Sequence, residues 1–214
     1  MTARDLSELA ILTIKRFPEL YSIYSETNFT HNKIKQGNRN PLLYKDMGAD
    51  GLKTGRTKAA GYGLTASVER AGRRLVLVIN GLSSARKRTI ESQRVIEWGF
   101  REYVNHKVYD ANDSVTDIDV WLGEATTVSA LIESELLLTL KRSDQQKLKM
   151  IVNYDEPLTA PISKGQKVGT LTIQISQDKV LTYPLVSSIG VDRLNPFRRI
   201  LAAINYLVWG SGDK

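Results

Sequence analysis

Five consecutive apolar residues, Leu75-Val76-Leu77-Val78-Ile79, set the strongest limit on what this chain can fold into. The run is too short for a helix and rich in β-branched residues, and Gly72-Arg73-Arg74 and Asn80-Gly81 bound it, so it reads as a strand over residues 73–80. Successive side chains of a strand leave on opposite faces. A strand apolar at every position must therefore be covered on both faces. Residues 61–68 supply a partner strand across the turn Glu69-Arg70-Ala71-Gly72, and residues 52–57 form a further short strand after the Asp50-Gly51 turn signal.

Helices flank these strands. Residues 2–16 carry Thr2 as N-cap with Asp5 three residues on, a capping-box spacing, and Lys15-Arg16 suit the negative end of the helix dipole. Leu6, Leu9, Ile11, Leu12 and Ile14 are expected to be core, and Pro18 stops the helix. Residues 84–103 place Ile96, Phe100 and Tyr103 on one face. Residues 19–49 read as loop-rich, anchored by Tyr21, Tyr24 and Phe29, and Asn38-Arg39-Asn40-Pro41 is turn chemistry that sets Leu42 and Leu43 in the core. Helix, antiparallel hairpin and helix make an α+β pattern.

After residue 104 the pattern changes. Residues 105–114 are polar and read as a linker. Short strands then follow at 117–122, 126–131, 136–140, 147–153, 166–175 and 179–187, the signature of a small β-sandwich. The tail differs again. Asn195 and Pro196 suit a helix start, and Phe197, Ile200, Leu201, Ile204, Leu207 and Trp209 form an apolar stripe with Arg198 and Arg199 mostly off it. A helix of about 13 residues is only ~20 Å long, too short to span a bilayer but suited to lie in its interface, with the two arginines near anionic headgroups. Docking of this helix on the β domain is the alternative.

Composition narrows function more than fold. The chain has no cysteine, which removes disulfides, zinc-thiolate sites and cysteine nucleophiles. His31 and His106 are far apart in sequence and read as solvated or structural. The net charge of +7 is uneven: residues 1–109 hold 19 Lys/Arg against 10 Asp/Glu (+9), and residues 110–214 hold 11 against 13 (−2). Those cations are scattered without aromatic platforms or a recognition motif, so nucleic acid is not the expected partner. An anionic peptide or lipid surface suits the charge equally. No signal peptide opens the sequence, and no apolar run is long enough to cross a membrane.

The chemistry gathers at Lys53-Thr54-Gly55. Lys is a compact positive charge with three donors, the Thr hydroxyl can donate to a carboxylate, and Gly lets a peptide lie against the strand edge. On its letters alone the tripeptide is also an ordinary strand end. With its surroundings, Asp50-Gly51-Leu52-Lys53-Thr54-Gly55 and Ala60-Gly61-Tyr62, it closely resembles the third motif of the serine D-alanyl-D-alanine carboxypeptidases, the low-molecular-weight penicillin-binding proteins. Thr2 to Leu6, Asn38 to Leu43, and Glu91-Ser92 through Trp98-Gly99-Phe100 fit the same family in order, so the resemblance covers essentially the whole chain.

The resemblance implies part of a transpeptidase-like catalytic domain over 1–109, a β-sandwich accessory domain over 110–190 and a membrane-anchor helix over 191–214. It implies removal of the terminal D-alanine from peptidoglycan stem peptides through an acyl-enzyme, with no cofactor or metal. Lys53, Thr54 and Gly55 then belong to the catalytic cleft. Lys53, Thr54, Arg56 and Arg88 would read the substrate's carboxylate. Arg88, matched through Glu91-Ser92 and Trp98-Gly99-Phe100, is otherwise a solvated charge beside Arg86 and Lys87.

Arg56 stands where many relatives carry histidine. Neither the nucleophile motif S-x-x-K nor S-x-N precedes Lys53; Ser84-Ala85-Arg86-Lys87 and Ser176-Gln177-Asp178-Lys179 match S-x-x-K only in the wrong order and context. The chain alone is thus expected to be inactive, with β-lactams as ligands only when an N-terminal part is present. The family's place is the periplasmic face of the inner membrane. A non-catalytic peptidoglycan-binding module on the membrane is the alternative, and a class A β-lactamase relative fits less well because of the β-rich second half.

Overall fold

The computed structural model describes residues 1–155, 157–176 and 179–196. The chain divides into two compact units after Val104. The fold is α+β with predominantly antiparallel sheets.

In the first unit, α1 (Ala3–Arg16) starts from the expected capping box: the Asp5 N–H donates to Thr2 Oγ1, and the Thr2 N–H donates to Asp5 Oδ2. A one-turn helix α2 (Pro18–Tyr21) follows. Residues 28–37, expected to be loop, form a small antiparallel hairpin of β1 (Asn28–His31) and β2 (Ile34–Gly37). Its four-residue strands are exposed throughout, so no apolar alternation marks them.

The main sheet runs β3-β4-β5, with β3 at Ala49–Thr57, β4 at Gly61–Arg70 and β5 at Arg73–Leu82. Asp50-Gly51 is not a turn: both residues lie inside β3, at a bulge opposite Val68 and Ser67. The β4–β5 turn tightens to Ala71-Gly72, both left-handed, as a two-residue hairpin loop requires.

Helix α3 (Ala85–Glu102), capped by Ser84 Oγ accepting from the Lys87 N–H, covers one face of the sheet. Its Ile96 joins Leu42, Met47, Leu64, Ala66, Val68 and Leu77 in the core on that side. On the other side Ala10 packs with Tyr21 and Leu52, and Ile14 and Val76 adjoin them. The apolar run of β5 is thus covered from both sides, as its sequence demands. The expectation that all of α1's apolar residues are core is corrected: Leu9 is 53% exposed, and Leu12 and Ile11 are also exposed. Ala10 and Ile14 pack on the sheet, Leu6 and Leu9 rim a recess against it, and Ile11 and Leu12 lie on the exposed side of the helix.

In the second unit, the stretch read as a linker begins as β6 (Tyr103–Tyr109), which pairs with β9 (Leu136–Lys141). The polar run Asn105-His106-Lys107 hid a strand whose Val108 and Tyr109 pack on the core. A six-stranded sheet runs β10-β12-β13-β8-β7-β11, comprising β7 (Ser114–Trp121), β8 (Thr127–Leu131), β10 (Lys149–Asn153), β11 (Leu158–Thr159), β12 (Lys167–Ser176) and β13 (Lys179–Ser187). Leu136, Leu138 and Leu140 of β9 alternate inward and pack with Ile118, Val128, Leu171, Ile173 and Leu185 of that sheet. The result is a two-sheet layer around one core, the expected sandwich.

The amphipathic helix expected from Phe197 to Trp209 lies outside the described residues. Among the described residues no helix is long and apolar enough to cross a membrane.

Candidate functional site

Strand β3 is an edge of its sheet, so one side of its backbone is unpaired within the sheet. Its register sets Lys53 opposite Thr65, Thr54 opposite Leu64, Gly55 opposite Gly63 and Arg56 opposite Tyr62. The cross-strand partners then separate the candidate residues beyond Leu52, which itself packs on Ala10. Lys53 and Thr65 face α1 and line a recess of about 150 Å³ with Leu6, Leu9, Ala10 and Leu52. Lys53 is exposed, and its Nζ donates to the Thr54 carbonyl oxygen at 3.0 Å, leaving donors free. Thr54 and Arg56 take the opposite face, where Leu64 joins the core beneath α3.

The Arg56 guanidinium lies 4.8 Å from the centre of the Tyr62 ring, a cation–π contact. Arg88, in the first turn of α3, donates from Nη2 to the Arg39 carbonyl oxygen at 3.3 Å. Its Nε is buried and has no hydrogen-bond partner. Burial pushes the Arg88 guanidinium down from its ordinary value, and the nearby Tyr62 phenol pulls the other way. None of Lys53, Arg56 and Arg88 forms an ion pair among the described residues, whereas Arg70, Arg74, Arg94 and Arg101 each have a carboxylate partner.

Gly55 gives this wall its clearance. A Cβ placed there would meet nothing within 4 Å, and the residue is not in the left-handed region. Neither packing nor backbone conformation demands glycine, so its effect is to keep the strand surface clear.

Beneath the wall lies a polar support that the motif pattern did not reveal. Asn40 is fully buried, donates from Nδ2 to the Gly51 carbonyl oxygen at 2.7 Å and accepts the Leu42 N–H on Oδ1 at 3.1 Å. One residue earlier, Asp50 Oδ1 accepts from the Tyr21 hydroxyl at 2.7 Å, and Asp50 Oδ2 accepts from Arg74 Nη1 at 2.5 Å. Arg74 also reaches Ser67 Oγ and Glu69. The start of β3 is thereby held two residues ahead of Lys53. Asn40 was legible as turn chemistry and Tyr21 as an anchor; the partners they find in β3 are not sequence-local.

The two S-x-x-K matches carry no such setting. Ser84 Oγ is the N-cap acceptor of α3, and Ser176 ends β12 in the second unit. Among the described residues no group of three His, Asp or Glu side chains gathers as a metal site would need.

Comparison with known proteins places these features. Residues 1–84 match the family model described as D-alanyl-D-alanine carboxypeptidase, and residues 103–193 match the one described as penicillin-binding protein 5, C-terminal domain. The chain is 36% identical over 201 residues to the D-alanyl-D-alanine carboxypeptidase DacC of Escherichia coli K12, covering 93% of this chain and 50% of the relative. It is 36% identical over 177 residues to DacA of Haemophilus influenzae, covering 81% of this chain and 45% of the relative. Among solved structures, penicillin binding protein 5 from Haemophilus influenzae superposes with a TM-score of 0.77 at 33% identity, covering 90% of this chain and 57% of that one. The chain spans about half the length of the curated relatives it matches.

Proposed function

The chain belongs to the D-alanyl-D-alanine carboxypeptidase family of low-molecular-weight penicillin-binding proteins, and on that premise we propose that β3 and Arg88 form the carboxylate-reading wall of a site for peptidoglycan stem peptides ending in D-Ala-D-Ala. The observation that carries this reading is the unbalanced charge: Lys53, Arg56 and Arg88 have no carboxylate partner among the described residues, beside an edge strand kept clear at Gly55.

A peptide laid along the free edge of β3 pairs with its backbone, as β-strand addition requires. Its terminal carboxylate accepts from the Thr54 hydroxyl and from Arg88, whose Nε is a donor in want of an acceptor. Lys53 adds positive charge from the other face and, with two donors free, serves the proton network around the scissile carbonyl. The reaction of the complete enzyme is acyl transfer. A serine oxygen attacks the carbonyl of the penultimate D-alanine, D-alanine leaves with the proton, and water hydrolyses the ester.

That serine is not among this chain's motifs, so the 214-residue chain binds the peptide without cleaving it, and β-lactams acylate only the complete catalytic domain. We place the complete protein at the periplasmic face of the inner membrane, with residues 191–214 as the contact to the lipid surface.

The test is calorimetric titration of the 214-residue chain with a diacetylated Lys-D-Ala-D-Ala tripeptide. Measurable affinity that falls in Thr54→Val and Arg88→Gln supports the reading. Affinity unchanged by both substitutions contradicts it. A covalent adduct with a fluorescent penicillin would contradict the absence of the nucleophile.

A further inference from the structure

Strand β5 is the other edge of the main sheet, and no described strand pairs with its outer side. Its composition is that of a central strand. Leu75-Val76-Leu77-Val78-Ile79 carries no charge and no proline, and the one register shift of the β4–β5 ladder lies beyond it, between Tyr62 and Leu64. Charges, prolines and bulges are what keep edge strands from pairing, and the middle of β5 has none of them. The opposite edge, β3, is bulged between Ala49 and Gly51.

The turn fixes which backbone groups of β5 point outward. Ala71-Gly72 is a two-residue loop, so Arg70 and Arg73 close it as a hydrogen-bonded pair. Such pairs alternate along an antiparallel ladder, and the register is unbroken from Arg70 opposite Arg73 to Leu64 opposite Ile79. Arg73, Leu75, Leu77 and Ile79 therefore direct their N–H and C=O groups to β4. Those of Arg74, Val76 and Val78 face away from it, unpaired within the sheet.

A second β5, antiparallel about a two-fold axis, satisfies that row only where outward-facing residues meet each other. An axis at Leu77 pairs Val76 with Val78, Leu75 with Ile79, and Leu77 with its own copy. Arg74 then falls opposite Asn80, and Arg73 opposite Gly81, where a Cβ would meet nothing within 4 Å. An axis at Val76 would set Arg73 against Ile79, and one at Val78 would set Arg74 against Leu82. The Leu77 register alone among these keeps apolar opposite apolar and sets no like charges face to face. Arg74 is paired with Asp50 and Glu69, and Arg73 donates to the Tyr103 and Gly99 carbonyl oxygens, so both guanidinium groups are engaged within their own copy.

We propose that the β5 edge is a self-association surface, where two copies of this chain join their three-stranded sheets into one six-stranded antiparallel sheet with its two-fold axis at Leu77. An axis normal to the sheet keeps both copies of α3 on one face and both of α1 on the other. The apolar residues of the joined strands thus stay covered as they are in the single copy. This edge lies across the sheet from β3 and is independent of the peptide site proposed there.

Sedimentation equilibrium of the 214-residue chain over a wide concentration range, with amide hydrogen exchange on the same samples, tests the proposal. The chain is expected to reach twice its 24.0 kDa mass. In the dimer the Val76 and Val78 amides are protected along with those of Leu75 and Leu77. Val78→Pro removes an outward N–H from each copy without removing a bond to β4, and should weaken association by roughly tenfold or more. Leu77→Cys, in a chain with no other cysteine, should cross-link to its own copy on mild oxidation, and Val78→Cys should not.

A monomer at every concentration overturns the proposal. So does a dimer whose Val76 and Val78 amides exchange freely, or one unchanged by Val78→Pro. Should Val78→Pro fail to fold, absence of the Leu77→Cys cross-link overturns it equally. Protection of the β5 amides only on adding the half of Escherichia coli DacC outside the match would assign the edge to that half, and likewise overturn self-pairing.

Discussion

The Asn40 side-chain amide donates to the Gly51 carbonyl oxygen at 2.7 Å, joining the Asn38-Arg39-Asn40-Pro41 turn to the start of the strand that carries Lys53-Thr54-Gly55. Asn40 has no exposed surface, so nothing replaces that bond when it is lost. Asn40→Ala strips the partner from both the Gly51 carbonyl and the Leu42 N–H, and is expected to destabilise the first unit by about 2–4 kcal/mol in urea unfolding. A loss below about 0.5 kcal/mol would show that water or a backbone shift satisfies both groups.

Tyr21 and Asp50 make the second tie to the same strand end. Burial, reinforced by Asp50, pushes the Tyr21 phenol far above its ordinary value. The folded state therefore holds this proton more tightly than the unfolded state does. The associated stability is complete below about pH 10, the unfolded value, and is lost as pH rises beyond it. Ultraviolet titration of phenolate should leave one tyrosine unionised until the chain unfolds, and Tyr21→Phe should abolish that late step. A Tyr21 that ionises with the exposed tyrosines contradicts the burial argument.

Glu97 responds on the acid side. The bidentate pair with Arg70 holds its carboxyl below the usual carboxylate range. Its contribution is complete above about pH 5 and fades as pH falls through the depressed folded value. Glu97 is half exposed, so solvent screening keeps the effect small: Glu97→Gln should cost less than about 1 kcal/mol at pH 7 and nothing measurable at the lowest pH where the chain stays folded. A loss that persists undiminished at low pH assigns Glu97 a packing role instead.

The exposed flank of α1 predicts a contrast between leucines. Leu42 is fully buried, and Leu42→Ala should cost about 2–5 kcal/mol. Leu9→Ser and Leu12→Ser, at exposed positions of α1, should each cost far less, under about 1 kcal/mol. Equal costs at Leu9 and Leu42 would mean that something covers α1 in solution.

The parts of the fold visible in the sequence are those dictated by local patterns. The all-apolar run from Leu75 to Ile79 announced a strand covered twice, the Thr2–Asp5 spacing announced a capped helix, and the stretch from Gly169 to Ile175 announced a sandwich strand. The hairpin over residues 28–37 and the strand from Tyr103 were hidden because their residues are exposed or polar, and only pairing makes them strands. At the candidate site, Lys53, Thr54 and Gly55 were legible as a motif. The Tyr21–Asp50–Arg74 and Asn40–Gly51 ties depend on residues brought together across 11 to 29 positions. No local pattern carries such pairings. Leu9 and Leu12 show the converse: an apolar helical face predicts a neighbour without guaranteeing one.

The central claim is that β3 and Arg88 are a ligand-reading wall. The direct measurement is amide chemical-shift mapping of the isotopically labelled 214-residue chain during titration with diacetylated Lys-D-Ala-D-Ala. The account predicts concerted, saturable shifts at Lys53, Thr54, Gly55 and Arg56 and at the Arg88 side-chain Nε–H, with the second unit unmoved. Saturable binding that leaves those signals in place, or shifts confined to residues after 104, would contradict it.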